Sequence, residues 1–276
     1  MGETGTEVSA GSQVSRDPPA TAETEVSAVI PVFNDRAATA KIEISAVIPV
    51  FNDRAALENA IPRSIAALEG ITGSFELIIA EDGSTDGTPD LVREWAARDP
   101  RIRLLHSDER LGRGRALTRA FGGARGRIAC YYDVDLATDL GHLPALIGAI
   151  RAGADIATGS RLLPSSEVTR TGEREVASRV YNALVRLLLG SRVHDHQCGF
   201  KAFNRERILA LLPSVRAPHW FWDTEVLVRG QRAGLRVAEF PVVWRTGKGT
   251  TVRLKDVFEM GGAILSLWWQ LHGPQG

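Results

Sequence analysis

From Ile44 onward, short apolar runs alternate with stretches whose apolar residues recur every three or four positions. Such runs read as strands buried on both faces and the stretches between them as helices, the rhythm of βαβ units around a mostly parallel sheet. The pattern predicts strands at Ile44–Val50, Phe75–Ala80, Ile102–His106, Ile128–Tyr132 and Asp155–Thr158. Helices are predicted between them at about Ala55–Glu69, Pro89–Arg98, Gly114–Ala124 and His142–Ala152, with Thr88-Pro89 reading as an N-cap followed by Pro in the first turn. After Gly159 the rhythm changes. A loop rich in Ser, Thr and charge (Ser160–Glu173) precedes a helix with a one-face stripe of Val176, Val180, Ala183, Leu184, Leu187 and Leu188. The last segment, Asp256–His272, carries Phe258, Ile264, Leu265, Trp268, Trp269 and Leu271.

Residues before about Glu23 are Thr-, Ser-, Glu-, Gly- and Pro-rich with few large apolar side chains, the composition of a disordered tail. Ser27–Ala38 then repeats as Ser45–Ala56, and the pattern stops there, which excludes a solenoid. Only the second copy runs on into a helix, so it is read as the working one. The expected organisation is a tail with a duplicated segment over 1–43, an α/β domain over 44–255 and an amphipathic helix over 256–276. With 44% hydrophobic and 24% charged residues in 276, a sizeable core is available. Basic and acidic residues number 33 each, so no general attraction to nucleic acid is implied. Cys130 and Cys198 have no metal-ligand spacing, which suits a reducing cytosol. No apolar run reaches membrane-spanning length, and the N-terminus lacks a charged start followed by an apolar core.

The strand candidate Ile128–Tyr132 leads into Asp133-Val134-Asp135. Residues two apart on a strand share a face, so the two carboxylates would point one way and Val134 back into the protein. A site that keeps both ionised usually holds a hard divalent cation, and Mg²⁺ or Mn²⁺ takes one or two carboxylates plus phosphate oxygens. The plain alternative is a strand end whose acids cap the next helix or sit in solvent. The second strand leads similarly into Glu81-Asp82-Gly83-Ser84-Thr85-Asp86-Gly87-Thr88, either a polar turn or a ligand site at the carboxyl ends of parallel strands. His194 and His196 flank Asp195, but no third ligand stands at a metal-site spacing.

Ala46-Val47-Ile48-Pro49-Val50-Phe51-Asn52, the Glu81–Thr88 turn and Asp133-Val134-Asp135 occur in one order that resembles the family 2 glycosyltransferases of the GT-A fold. Leu111-Gly112-Arg113-Gly114 and Gly159-Ser160-Arg161 are similar to two further motifs of that family. Gln197-Cys198-Gly199-Phe200-Lys201-Ala202-Phe203 and Phe221-Trp222-Asp223-Thr224-Glu225-Val226-Leu227 resemble its polyprenyl-phosphate hexosyltransferases, the dolichyl-phosphate glucose or mannose synthases. The resemblance covers about Ile44–Lys255. It implies a Rossmann-like, mostly parallel sheet with helices on both faces, followed by C-terminal amphipathic helices. It also implies transfer, with inversion, of a hexose from a UDP- or GDP-sugar to a polyprenyl phosphate. Pro49, Phe51, Asp53, Asp82, Arg113 and Val134 would line the nucleotide site. Asp133 and Asp135 would hold Mg²⁺ or Mn²⁺ on the diphosphate, with Arg161 steadying phosphate oxygens. Asp195, Gln197, Lys201, Asp223, Glu225 and Lys248 would lie on or behind the acceptor side. Four departures from the family pattern stand out: Glu81 for Asp, Phe51 for Tyr, Asp53 for Glu, and Gly249-Thr250-Thr251 for Gly-Ser-Lys.

The Val176–Leu188 stripe is consistent with a helix packed on the sheet or, with Arg174, Arg179 and Arg186 nearby, with one lying in a membrane interface. Trp268-Trp269 shifts the balance towards peripheral attachment at the cytoplasmic face, because Trp concentrates at bilayer interfaces. Two rivals use the same fold signals. A haloacid dehalogenase-like phosphatase would need Thr or Val where Ala137 stands and its acids on the first strand; neither holds. A non-catalytic sugar-nucleotide scaffold would not need Asp133, Asp135 and Arg161 together. A glycosyltransferase acting on a hydroxyl of a glycan, protein or small molecule stays open.

Overall fold

The computed structural model describes residues 42–169, 172–245 and 254–273, with side chains in the last stretch described from 260 onward. In chain order its elements are β1 (Ile44–Val50), α1 (Arg54–Glu69), β2 (Phe75–Glu81), α2 (Thr88–Arg98), β3 (Ile102–Leu105), α3 (Arg113–Gly122), β4 (Ile128–Tyr132), α4 (Leu143–Arg151), β5 (Ile156–Ser160), β6 (Glu167–Thr169), α5 (Gly172–Leu189), β7 (Phe200–Asn204), α6 (Arg205–Leu211), α7 (Trp222–Arg232), β8 (Val237–Pro241), β9 (Val243–Arg245) and α8 (Leu254–His272). Seven strands form one sheet in the order β3-β2-β1-β4-β7-β5-β8, and only β7 runs antiparallel to its neighbours. β6 pairs with β9 in a separate two-stranded sheet.

Every residue of β1, β2 and β4 is buried, because helices cover both faces of the sheet, as expected for continuous apolar strands. One apolar cluster joins Ile48 to Leu57 and Ile61 of α1 and Leu146 of α4. The other joins Val47 to Phe121 of α3, Phe203 of β7 and Trp222 of α7. The second copy of the repeat supplies β1 and the start of α1; the first copy, Ser27–Ala38, lies outside the described residues.

Four local features differ from the pattern-based reading. β4 stops at Tyr132, and Asp133–Asp135 lie on a turn in which Leu136 N–H donates to the Asp133 carbonyl (3.1 Å) and Leu136 adopts φ 50°. Strand alternation therefore does not set the directions of the two acids. The cap of α2 is Gly87 at φ 81°, and Asp86, not Thr88, supplies the capping oxygen by accepting from Thr88 N–H. β7 escaped the pattern because Lys201 interrupts its apolar run, although that lysine is fully buried. On α5 the buried face is Tyr181, Asn182, Val185 and Leu189, packed on α7 and α8, so the anticipated apolar stripe faces outward.

His196 fastens α5 to the chain that leads into β7. Its ring lies 2.7 Å from both Asn182 Oδ1 and Ser191 Oγ, and burial pulls its pKa down to about 3. A histidine held neutral in the fold contributes stability that is present above its unfolded pKa, near 6.5, and is lost as pH falls towards the folded value. Urea unfolding should therefore lose about 2 kcal/mol between pH 7 and pH 5 through this residue. His196→Gln should flatten that part of the pH profile, and an unchanged profile would show that the imidazole is not what titrates.

Candidate active site

β2, β1 and β4 end side by side, the place where an open α/β sheet receives ligands. β1 runs into Phe51, Asn52 and Asp53. Asn52 adopts φ 48° and ties two turns together: its N–H donates to Ser84 Oγ (2.9 Å) and its Oδ1 accepts from Thr85 N–H (2.8 Å). Asp53 caps α1 by accepting from Ala56 N–H, and Pro49 is buried within β1 opposite Ala80. At the end of β2, Glu81 is fully buried, accepting from Ser84 N–H and contacting the His106 ring. Asp82 is buried as well, and its two oxygens accept from Leu111 and Gly112 N–H, each at 2.8 Å. Gly83 has φ 75°, and a Cβ there would sit 2.7 Å from Arg110 N, so the chain before α3 packs directly on the turn. This stapling sets the Arg110 guanidinium 3.9 Å over the Phe51 ring, a contact between distant segments that no periodicity marks.

At the end of β4, Asp133 rests against Gly199. A Cβ at 199 would fall 1.8 Å from Asp133 Oδ2, so the carboxylate fills the space that any other residue would need. Its Oδ1 accepts from Arg113 at 2.7 Å, and the other arm of that guanidinium reaches Asp223 Oδ2 at 2.7 Å. Burial works against the Arg113 charge, but Asp133 and Asp223 hold it protonated. Arg113 also lies over the rings of Tyr131 and Trp220. Val134 packs half-buried on the core, whereas Asp135 reaches solvent with one oxygen accepting from Ala137 N–H (3.0 Å). Partial desolvation, with the charges of Asp133 and Asp53, raises its carboxyl above the usual carboxylate range. Among the described residues no three His, Cys, Asp or Glu side chains converge as a metal-binding group. A pair of carboxylates without such a group suits a hard cation whose other ligands are phosphate oxygens and water, not an all-protein cage. His194 and His196 diverge: the first pairs with Glu239 (2.8 Å), the second is buried.

Across the site, Arg161 and Asp195 form a forked pair at 2.7 and 2.9 Å. Burial alone would raise the Asp195 carboxyl, but the Arg161 guanidinium outweighs it and holds the group well below the usual range. Asp223, in the first turn of α7, accepts from Tyr131 O–H and from Arg113, and lies 3.1 Å from Lys201 Nζ; burial pushes it up to about 6. Lys201 also donates to the carbonyls of His196 and Cys198, and burial lowers it to about 8. Glu225 accepts from Arg216 and Ala217 N–H and pairs with Arg229. Gln197 donates to Asp195 through its backbone N–H and to Met260 Sδ (3.9 Å) through its side chain. Lys248 and Gly249–Val252 lie outside the described residues. Arg113, Asp133, Lys201 and Asp223 thus come together, while Glu225 holds a loop. Tyr131 and Gly199 were missed as site residues: a tyrosine in an apolar run reads as core, and a glycine's lack of a side chain is informative only once its neighbour is known.

The profile of glycosyl transferase family 2 matches residues 45–210, from β1 to α6. Glycosyltransferase AglD of Haloferax volcanii is 53% identical over 78% of this chain and 35% of its own length. Dolichyl-phosphate beta-glucosyltransferase ALG5C of Trichomonas vaginalis is 30% identical over 68% of this chain and 58% of its own. Polyprenol monophosphomannose synthase of Mycolicibacterium smegmatis is 31% identical over 74% of this chain and 77% of its own. This chain therefore spans about a third of the first relative and little more than half of the second. Among solved structures, glucosyl-3-phosphoglycerate synthase from Mycobacterium tuberculosis, in complex with Mn²⁺, UDP and glucosyl-3-phosphoglycerate, superposes with a TM-score of 0.59 at 22% identity, over 85% of this chain and 81% of that one. With the family profile covering most of the sheet and a relative more than half identical across three quarters of the sequence, the chain belongs to glycosyl transferase family 2.

Proposed function

We propose that the protein transfers a hexose, glucose or mannose, from a nucleoside diphosphate sugar to a polyprenyl phosphate, with inversion at the anomeric carbon. The observation that carries this reading is the pair Asp133 and Asp135 at the carboxyl ends of the parallel strands, Asp133 being seated on Gly199. Phe51, Asp53 and the Asp82 turn would receive the nucleoside beside them, as their position at the carboxyl ends of β1 and β2 favours. A Mg²⁺ or Mn²⁺ held by Asp133 and Asp135 would act as a Lewis acid on the diphosphate, offsetting the charge that develops when the anomeric bond breaks. Arg113, already protonated and fixed beside Asp133, adds a second positive charge for the leaving group.

The bonding of the nearby acids bears on the nature of the acceptor. Asp195 is locked to Arg161, Asp223 to Arg113, Lys201 and Tyr131, and Glu225 to a backbone turn and Arg229. None is free to take a proton from an attacking hydroxyl, and a phosphate, ionised at neutral pH, needs no such base. Two relatives are named for transfer to dolichyl phosphate or for a polyprenol monophosphate product. A lipid acceptor places the enzyme at a membrane surface. No described helix is long and apolar enough to cross a bilayer, so attachment through these residues would be peripheral.

Incubation with a panel of UDP- and GDP-hexoses, Mn²⁺ and a polyprenyl phosphate should give a lipid product heavier by one hexose by mass spectrometry. Transfer to a soluble alcohol instead would replace the acceptor. Asp135→Asn should lower transfer on the order of a hundredfold or more at an unchanged melting temperature, and full activity in that variant would sink the metal role. Gly199→Ala should displace Asp133 and weaken Mn²⁺-dependent UDP binding, measured by calorimetry, by more than about tenfold. Unaltered binding in that variant would remove Asp133 from the metal site.

A further inference from the structure

Two features away from the paired carboxylates have no part in the transfer reaction. The first is apolar. α5, α7 and α8 pack through Tyr181, Val185, Val228, Ile264 and Leu267, yet α5 and α8 each turn a second apolar stripe outward. On α5 it comprises Val176, Val180, Leu184 and Leu187, the last 77% exposed; on α8 it includes Leu265 and Trp269, 61% and 64% exposed. Two adjacent helices that keep aliphatic and indole surface in water mark an interaction face.

The second feature is cationic. Where α5 and α7 end against the start of β8, a cavity of about 710 Å³ is lined by Arg192, Arg232 and Arg236. Its one acidic lining residue, Glu239, is already taken by the backbone N–H groups of His194 and Asp195 and by the His194 ring. Among the described residues Arg236 has only a loose pair with Asp155 at 3.7 Å, and Arg232 contacts the His272 ring at the end of α8. Arg192 has no carboxylate partner among the described residues, its backbone N–H alone being bonded, to Gln231. The two features are continuous. Leu189 belongs to the α5–α8 apolar cluster and lines the cavity, and His272 carries α8 onto Arg232.

We propose that this cavity takes the phosphate headgroup of an anionic membrane lipid while the outward stripes of α5 and α8 sink into the interface of the same bilayer. Guanidinium forks match phosphate oxygens, amphipathic helices with cationic flanks lie in the headgroup region, and Trp anchors there. A free phosphate would account for the arginines but not for the apolar stripes. A second copy about a two-fold axis would cover the stripes but bring the same arginines towards one another. The inference rests on the lipid-acceptor reading only in supposing that a bilayer is at hand.

The test is co-sedimentation of the full chain with vesicles of phosphatidylcholine, with and without phosphatidylglycerol. Binding should favour the anionic vesicles. Arg192→Gln with Arg236→Gln should lower that affinity about 25-fold, roughly five-fold for each arginine removed, and abolish the preference. Leu187→Glu with Trp269→Glu should weaken binding to both vesicle types. Equal binding to both, unaffected by the arginine changes, would overturn the headgroup site, as would absence of vesicle binding together with a concentration-dependent dimer in sedimentation. Mn²⁺-dependent UDP binding in solution should be the same in all variants. Transfer to detergent-dispersed polyprenyl phosphate without any vesicle preference would defeat this inference alone. Vesicle preference without transfer would support it and defeat only the choice of acceptor.

Discussion

Arg113 sits between two carboxylates from distant parts of the chain, Asp133 at the end of β4 and Asp223 at the start of α7, and the geometry of the site depends on it. The Asp223 side completes the network with Lys201 of β7; Lys201 and Asp223 are buried and Arg113 nearly so, while Asp133 keeps 36% of its side chain exposed. In such a group, removing one partner leaves a buried charge uncompensated, at a cost of about 3–5 kcal/mol. Three elements are fixed relative to one another in consequence: the turn after β4, the N-terminus of α3 and the first turn of α7. The four charges also cancel. A divalent cation brought to Asp133 alone would face Arg113 at close range, whereas one arriving with a diphosphate brings the negative charge that offsets both. In the proposed reaction, metal and donor are therefore expected to bind as a unit.

The same network shows why parts of the site were legible in the sequence and others were not. β1, β2 and β4 are uninterrupted apolar runs, and their ends carry the acids that mark the site, so both the sheet and its active edge could be read directly. β7 could not, because a lysine in the middle of a strand argues against burial until its compensating partner is known. That partner, Asp223, is supplied by another helix, and pairings between distant segments leave no periodicity behind. The turn that carries Asp133 and Asp135 was illegible for a similar reason: past Tyr132 the ladder stops and a left-handed Leu136 turns the chain, so strand alternation no longer applies. On α5, spacing showed an apolar stripe but could not say which face it occupied, since Tyr181 and Asn182 on the adjacent face make the packing contacts.

Substitutions in the familiar turns find physical roles as well. Glu81, one methylene longer than the aspartate usual in its turn, reaches both Ser84 N–H and His106 just past the end of β3, which ties the turn to the sheet edge. Asp82 spends both oxygens on the backbone of Leu111 and Gly112, and so governs where Arg110 and Arg113 stand. The acid turn and the arginine turn thus act as one piece, with Phe51 under Arg110 at one end and Asp133 on Arg113 at the other.

If the acceptor is a lipid as proposed, the helices would set how this piece meets it. α7 begins at the site with Asp223 and ends at Arg232 in the cationic cavity; its 11 residues span about 16 Å. α5 begins two residues after β6, whose partner β9 bridges to Thr138 beside the paired acids, and its 18 residues run about 27 Å to the same cavity. A bilayer that touches both the cavity and the outward stripe of α5 must lie along the helices, not across their ends. The site would then open alongside the membrane surface at the depth of the headgroups. A polyprenyl phosphate could present its charged end there while its chain stays in the hydrocarbon, which spares the enzyme the cost of extracting an apolar tail into water, about 0.8 kcal/mol for each methylene.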